Sequence, residues 1–159
     1  MALVEAIAGR DRAASLAQSI GIQSWSAEHQ SEQFKLSAKH LFTAVANRLS
    51  FWSHEDIGIP INPGVDEIAL SLVADTYSRT FRSKAFSLSP SDGPITTKRG
   101  LVILPDRVQG AGKAVDRTVK LRSDLPPVSS LDVTLQEIEQ LYGSGSAAFI
   151  ALQLEYSRQ

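Results

Sequence analysis

Few residues in this chain have types and spacings that could do chemistry. The histidines are His29, His40 and His54. On one helix, His29 and His40 would share a face but stand about 16 Å apart along the axis, too far to hold one ion. His54-Glu55-Asp56 lacks the second histidine at helical spacing that a zinc-binding helix uses. Neither a metal nor a cofactor is expected. A serine nucleophile needs a histidine and an acid beside it, and Gly143-Ser144-Gly145-Ser146 lacks the strand-to-helix setting of a nucleophile elbow. It reads as a tight turn between helices. The paired carboxylates Asp66-Glu67 and Glu137/Glu139 read as helix N-terminal charge and a solvated face.

A strand feeding a Gly-x-Gly-Lys loop could cradle phosphate through backbone N–H groups and the lysine. Arg107 to Lys113, with Gly110 and Gly112, has part of that pattern after the apolar run Leu101–Leu104. It has Arg107 where such a loop needs glycine and Ala114 where it needs Ser or Thr, so it reads as a hairpin loop. No nucleophile, acid and base converge by this reading, and no enzyme is expected.

The feature with most functional content is charge asymmetry. The chain as a whole carries −1, yet from Arg79 to Arg122 ten basic residues face only Asp92, Asp106 and Asp116. That window is therefore +7, and the remainder −8. Arg79, Arg82, Lys98, Arg99, Arg107, Lys113, Arg117, Lys120 and Arg122 form a candidate basic binding layer. It could pair with the chain's own acids, face an acidic partner protein, or meet nucleic acid phosphates. No aromatic residue lies between Phe86 and Tyr142 to stack on bases, and a pI near 6.3 is low for a nucleic-acid binder.

The elements that must carry these residues read mostly as helices. Residues 2–20 form an amphipathic helix weakened at Gly9, with Gly21 as its C-cap. Ser26 caps a helix over about 27–52, whose stripe Phe34, Ala38, Leu41, Val45, Leu49 and Trp52 is wide enough to bury on a neighbour. Residues 53–63, with one glycine and two prolines, read as a connection. The steps Val65, Ile68, Leu72, Tyr77, Phe81, Ala85 and Leu88 predict a long central helix from Pro63 to Leu88. Leu101–Leu104 and the alternation over 115–122 predict two strands joined as a ribbon. Leu131, Leu135, Ile138 and Leu141/Tyr142 mark a helix. Residues 146–156 are apolar on nearly every side, so period leaves helix or strand open, and the Ala-rich composition favours a buried helix.

The expectation is a single domain over 1–159: mainly α, a bundle of about five helices with a small β-hairpin between 100 and 122, or α+β if the sheet is larger. At 43% hydrophobic and 21% charged, the composition is that of a soluble globular chain. No apolar run reaches the ~20 residues of a membrane span, and residues 1–12 lack a basic-led apolar leader. The cytoplasm is expected, with no membrane partner. The function expected is that of a non-catalytic adaptor, regulator or assembly subunit, binding an acidic protein surface through the basic layer and apolar helix surface. The alternative is a nucleic-acid-binding regulator using the same layer. Phe42, Leu49, Phe51 and Trp52 supply more apolar surface than one neighbour covers, a candidate interface for a partner or for homo-oligomers.

Overall fold

In the computed structural model, residues 1–23, 25 and 34–157 are described, Phe51 by its backbone alone. Two short helices open the chain, α1 (Ala2–Ala8) and α2 (Arg10–Ile20), broken at Gly9 and ended by left-handed Gly21. Then come α3 (Ala38–Leu49), a 3₁₀ turn at Phe51–Ser53 and β1 (Glu55–Pro60). They are followed by α4 (Glu67–Ser78), β2 (Ser83–Ser89), a hairpin of β3 (Ile95–Thr96) and β4 (Val102–Ile103), β5 (Arg107–Val108) and β6 (Arg117–Thr118). The helices α5 (Ser129–Tyr142) and α6 (Ser144–Gln153) close the described chain, with Gly143 as the turn between them.

The main sheet has four parallel strands in the order β5-β2-β1-β6. The architecture is therefore α/β, which corrects both the helical bundle and the α+β alternative. The connection expected at 53–63 contains the central strand. The long helix expected over 63–88 is instead α4, a turn and β2. The ribbon expected from 100 to 122 does not form, because β4 pairs antiparallel with β3 while β6 pairs parallel with β1.

The break in the long helix has a local cause. Thr80 is fully buried, and its hydroxyl donates to the Tyr77 carbonyl while accepting the N–H groups of Arg82 and Ser83. Those two amides cannot then continue the helical ladder, and Phe81 takes a left-handed φ of 58°. No glycine or proline marks the stop, so the apolar spacing runs through it unbroken.

One face of the sheet carries Ile57 and Ile59 into the core. They meet Val73 and Tyr77 of α4, Leu131, Leu135 and Ile138 of α5, and Ala147 and Ile150 of α6. The opposite face is covered by a loop instead. Gly58 faces Leu88 and Val115 there. On the same face Asp56 accepts from Arg107 Nη2 and Lys113 Nζ, each at 2.9 Å, and the Arg107 guanidinium stacks 3.5 Å from the Phe86 ring centre. Lys113 and Arg107 outweigh desolvation and hold the Asp56 carboxyl below its usual value.

Helix α3 docks by its polar side. Asn47, buried, donates to the Thr80 carbonyl and to Ser146 Oγ, both at 2.9 Å. The apolar stripe expected to bury on a neighbour points outward instead: Leu41, Phe42, Val45, Leu49 and Trp52 are all exposed. The Ser26 cap, His29 and the helix expected over 27–33 lie outside the described residues.

Candidate functional site in the crevice at the strand ends

Parallel strands put all their carboxyl ends on one edge of the sheet, and a crevice opens where successive connections leave to opposite sides. Here the chain passes from β1 through α4 to β2 on one side, whereas β6 lies on the other side of β1. The reversal falls between β1 and β6. A crevice of about 660 Å³ lies there, lined by Pro60 at the end of β1, by Asn62 and Val65 after it, by Asp66 at the head of α4, and by Lys120 to Ser123 after β6. That size suits a small-molecule site, which typically spans ~300–1,000 Å³.

The hairpin supplies one wall. Gly64 N–H donates to the Thr96 carbonyl and Lys98 N–H to the Val65 carbonyl, which fixes the turn of the hairpin against the start of α4. Lys98 lines the crevice as a result. Asp66 is the N-cap, accepting from the N–H groups of Ile68 (3.1 Å) and Ala69 (3.3 Å). Arg99 Nη1 reaches the same carboxylate at 3.0 Å, and Lys98 Nζ stands 3.6 Å from its other oxygen. Burial would raise the Asp66 pKa, but Arg99 and the two backbone donors together hold it below the usual 3.8. Asp66 is thus a fixed negative post, occupied from the helix side and the hairpin side.

A prediction follows from that lowered value. Asp66 stabilises the fold fully above pH 3.8, and the contribution is lost as pH falls through its lower folded-state pKa. Asp66→Ala is expected to cost about 1–2 kcal/mol near neutral pH, and less once the wild-type carboxylate is protonated. Urea unfolding of both proteins at neutral pH and at acid pH checks this; a pH-independent difference would contradict it.

What remains open in the crevice is cationic and neutral-polar. Among the described residues, the side chains of Asn62, Lys120 and Ser123 have no hydrogen-bond or ion-pair partner. Arg122 is engaged with Asp124 at 2.6 and 2.8 Å. No lining residue is histidine, and the chain has no cysteine. The chemistry available is electrostatic: holding an anion and stabilising negative charge as it develops.

The nine residues expected to form one basic layer are dispersed over the fold. Lys98, Lys120 and Arg122 line the crevice, and Arg99 clamps the head of α4. Arg107 and Lys113 lie on the opposite sheet face with Asp56. Arg117 reaches Glu55 at 3.5 Å on the edge strand, and Arg79 pairs with Asp75 at the end of α4. Arg82 donates to Ser53 Oγ and stands 5.0 Å from the Tyr142 ring centre. Seven of the nine are ion-paired with the chain's own acids, so little of the +7 window is presented as a continuous field. The Gly110–Lys113 loop likewise spends its lysine on Asp56. Of the expected interface residues, Phe42, Leu49 and Trp52 are exposed on α3 and the turn after it.

Two residues that reasoning from types passed over are Asn62 and Ser123. Their only sequence signal is position just after a strand, visible once β1 and β6 are known. A second polar groove, about 370 Å³ beside β6, is also lined by Lys120, and there Tyr77 and Glu137 pair with each other and Arg117 with Glu55. Tyr77 donates to Glu137 at 2.9 Å, and burial followed by that carboxylate pushes the phenol pKa well up. Tyr142 donates to Glu55 at 2.8 Å, and its pKa rises to about 12 from burial and then Glu55. His40 joins the cap of α3 through Ser37, and the His54 ring lies 3.1 Å from the Asn47 carbonyl.

No protein-family model matches the chain, and no curated protein matches it. Among solved structures, it is similar to an oxidized DJ-1 from Toxoplasma gondii at a TM-score of 0.52 and 14% identity, over 65% of this chain and 99% of that one. An AraC family transcriptional regulator from Pseudomonas putida scores 0.49 at 10% identity, over 62% and 98% of the two chains. DJ-1beta of Drosophila melanogaster scores 0.39 at 21% identity, over 57% and 52%. The expectations of a helical-bundle adaptor and of a nucleic-acid-binding ribbon were built on a bundle and a basic layer that do not form. The expectation of no enzyme, built on finding no convergent nucleophile, acid and base in a mainly helical reading, falls with that reading of the fold. What replaces them is an α/β protein with a crevice at its strand ends, similar in fold to the DJ-1 of Toxoplasma gondii.

Proposed function

We propose that this chain binds a small organic anion, bearing a carboxylate or phosphate group, in the crevice at the carboxyl ends of β1 and β6, as the substrate or effector of an α/β protein. The observation that carries the reading is Lys120, Asn62 and Ser123. They line the crevice at the point where the strand order reverses, and their side chains have no partner among the described residues. Elsewhere in the basic layer seven residues are ion-paired with the chain's own acids, and Arg82 is held by Ser53 and the Tyr142 ring. Lys120 supplies the charge, Asn62 and Ser123 supply directional hydrogen bonds, and Lys98 and Arg122 bias the field from both walls. A site built this way holds the anionic end of a ligand and leaves the apolar lining, Pro60, Val65 and Leu121, to the rest of it.

No helix among the described residues is long and apolar enough to cross a membrane. A crevice for a small metabolite suits a cytoplasmic setting, which is part of this reading. The test is thermal unfolding in the presence of a panel of small carboxylates and phosphate esters, with matched amines as controls. Anions are expected to raise the midpoint, since a ligand at a hundred times its Kd adds about 2.7 kcal/mol. No shift with any anion, or equal shifts with the amines, would sink the proposal.

A further inference from the structure

Helix α3 is amphipathic in the inverse sense. Its small and polar side, with Thr43 and Asn47, faces α6 and the end of α4, while its apolar stripe faces solvent. Phe42 is 74% exposed, Leu49 62% and Leu41 58%, with Val45 between them, and Trp52 extends the stripe at 78%. Soluble monomers rarely leave an apolar patch of more than a few hundred Å² uncovered. With Leu36 added, these side chains present roughly 700 Å², taking ~150–250 Å² for each whole aromatic, against the ~800 Å² that each partner buries in a standard interface.

We infer that this face is covered by α3 of a second copy of the chain, packed antiparallel across a two-fold axis near Val45. The stripe suits such a self-complementary seam. At about 100° per residue, Lys39 and Arg48 fall on opposite margins of the stripe, outside its apolar centre. Turned about an axis at Val45, the two copies of Lys39 lie about 18 Å apart along the seam, and those of Arg48 about 9 Å. Both separations are comparable to or beyond the ~8 Å screening length of physiological salt. Lys39 of one copy and Arg48 of the other, about 4.5 Å apart along the seam, are held apart laterally because the two-fold keeps each on its own margin. A net charge of −1 adds little repulsion between whole copies. The interface lies on a different element from the crevice, so this inference does not rest on the ligand proposal.

The full chain is expected to show twice its 17.2 kDa mass by light scattering at micromolar concentration. Phe42→Glu and Leu49→Glu are each expected to return it to the monomer mass, with circular dichroism and unfolding midpoint kept, because both side chains are already solvent-exposed. The chain is free of cysteine, which allows a direct reading of the seam. Val45→Cys is expected to oxidise to a covalent dimer, since the Cα atoms of facing residues on packed helices come within disulfide reach. Leu104→Cys, exposed far along the chain on the loop after β4, is expected not to. A monomer mass at all concentrations would overturn the inference, as would a dimer that survives Phe42→Glu with Leu49→Glu. So would a monomer that co-sediments with anionic lipid vesicles and loses that binding in Phe42→Glu; the face would then belong to a membrane surface.

Discussion

Gly58→Val is expected to destabilise the protein by about 2–3 kcal/mol, lowering its thermal midpoint by roughly 5–10 °C. Valine in a strand interior ordinarily stabilises it relative to glycine, which loses more backbone freedom on folding. The sign reverses here because of space. A Cβ at position 58 would stand 2.4 Å from Leu88 Cδ1 and 2.9 Å from Val115 Cγ2. Leu88 is itself buried, on a strand in register with β1, so it has little room to turn away. Val115 belongs to the loop that covers this face, so relief by moving it would loosen the Asp56 contacts of Arg107 and Lys113. The double variant Gly58→Val with Leu88→Ala is expected to recover part of the loss, because the truncated side chain vacates the position the new methyls need. Denaturant midpoints for the two single variants and the double variant give the coupling. If 53–63 were a surface connection, Gly58→Val would be neutral and no coupling would be measured. That result would refute the central strand.

Lys120→Glu is expected to weaken binding of the crevice's anionic ligand roughly 30-fold, about 2 kcal/mol. The change removes an attractive charge and installs a repulsive one. The loss is kept to this scale because Lys120 is exposed and solvent screens it. Arg122→Gln is expected to do less, a fewfold loss. Its guanidinium is already neutralised by Asp124, whose pKa is pulled down to about 2 chiefly by the Arg122 hydrogen bond. Titration calorimetry of both variants with an anion that stabilises the wild type gives the ranking, and raising the salt should shrink the Lys120 effect. Equal losses at the two positions, or no loss at Lys120, would remove it as the principal contact. Neither side chain is buried, so both variants should unfold as the wild type does.

How much of this was legible in the residues depends on whether the cause was local. Helix-terminal chemistry was legible: the break at Gly9, the left-handed cap at Gly21 and the turn at Gly143 follow from glycine's own backbone freedom. So was α5, whose apolar residues repeat over enough turns to leave one interpretation. Helix α6 is apolar on nearly every side, so spacing alone left helix and strand open there and only composition favoured the helix. β1 was not. Its six residues include Gly58 and Pro60, which read as breakers, yet the glycine is there because Leu88 and Val115 crowd it, and the proline sits at the strand's last position. β2 was hidden because its apolar residues continue the spacing of α4, and the stop at Thr80 is a side-chain hydrogen bond rather than a breaker.

The charge pattern divides in the same way. By themselves the residues determine a cationic window and acidic flanks, because charge is a property of composition along the chain. Which acid meets which base was decided by topology alone. Parallel strands bring Asp56 beside Arg107 and Lys113, fifty-one and fifty-seven residues away, and no periodicity records such a meeting. The same long-range placement leaves Lys120, Asn62 and Ser123 at the strand ends without side-chain partners among the described residues. It also turns the apolar stripe of α3, readable as a stripe from its spacing, outward instead of into the core. Which residues are apolar or charged is local; which surface remains uncovered depends on every other element being in place.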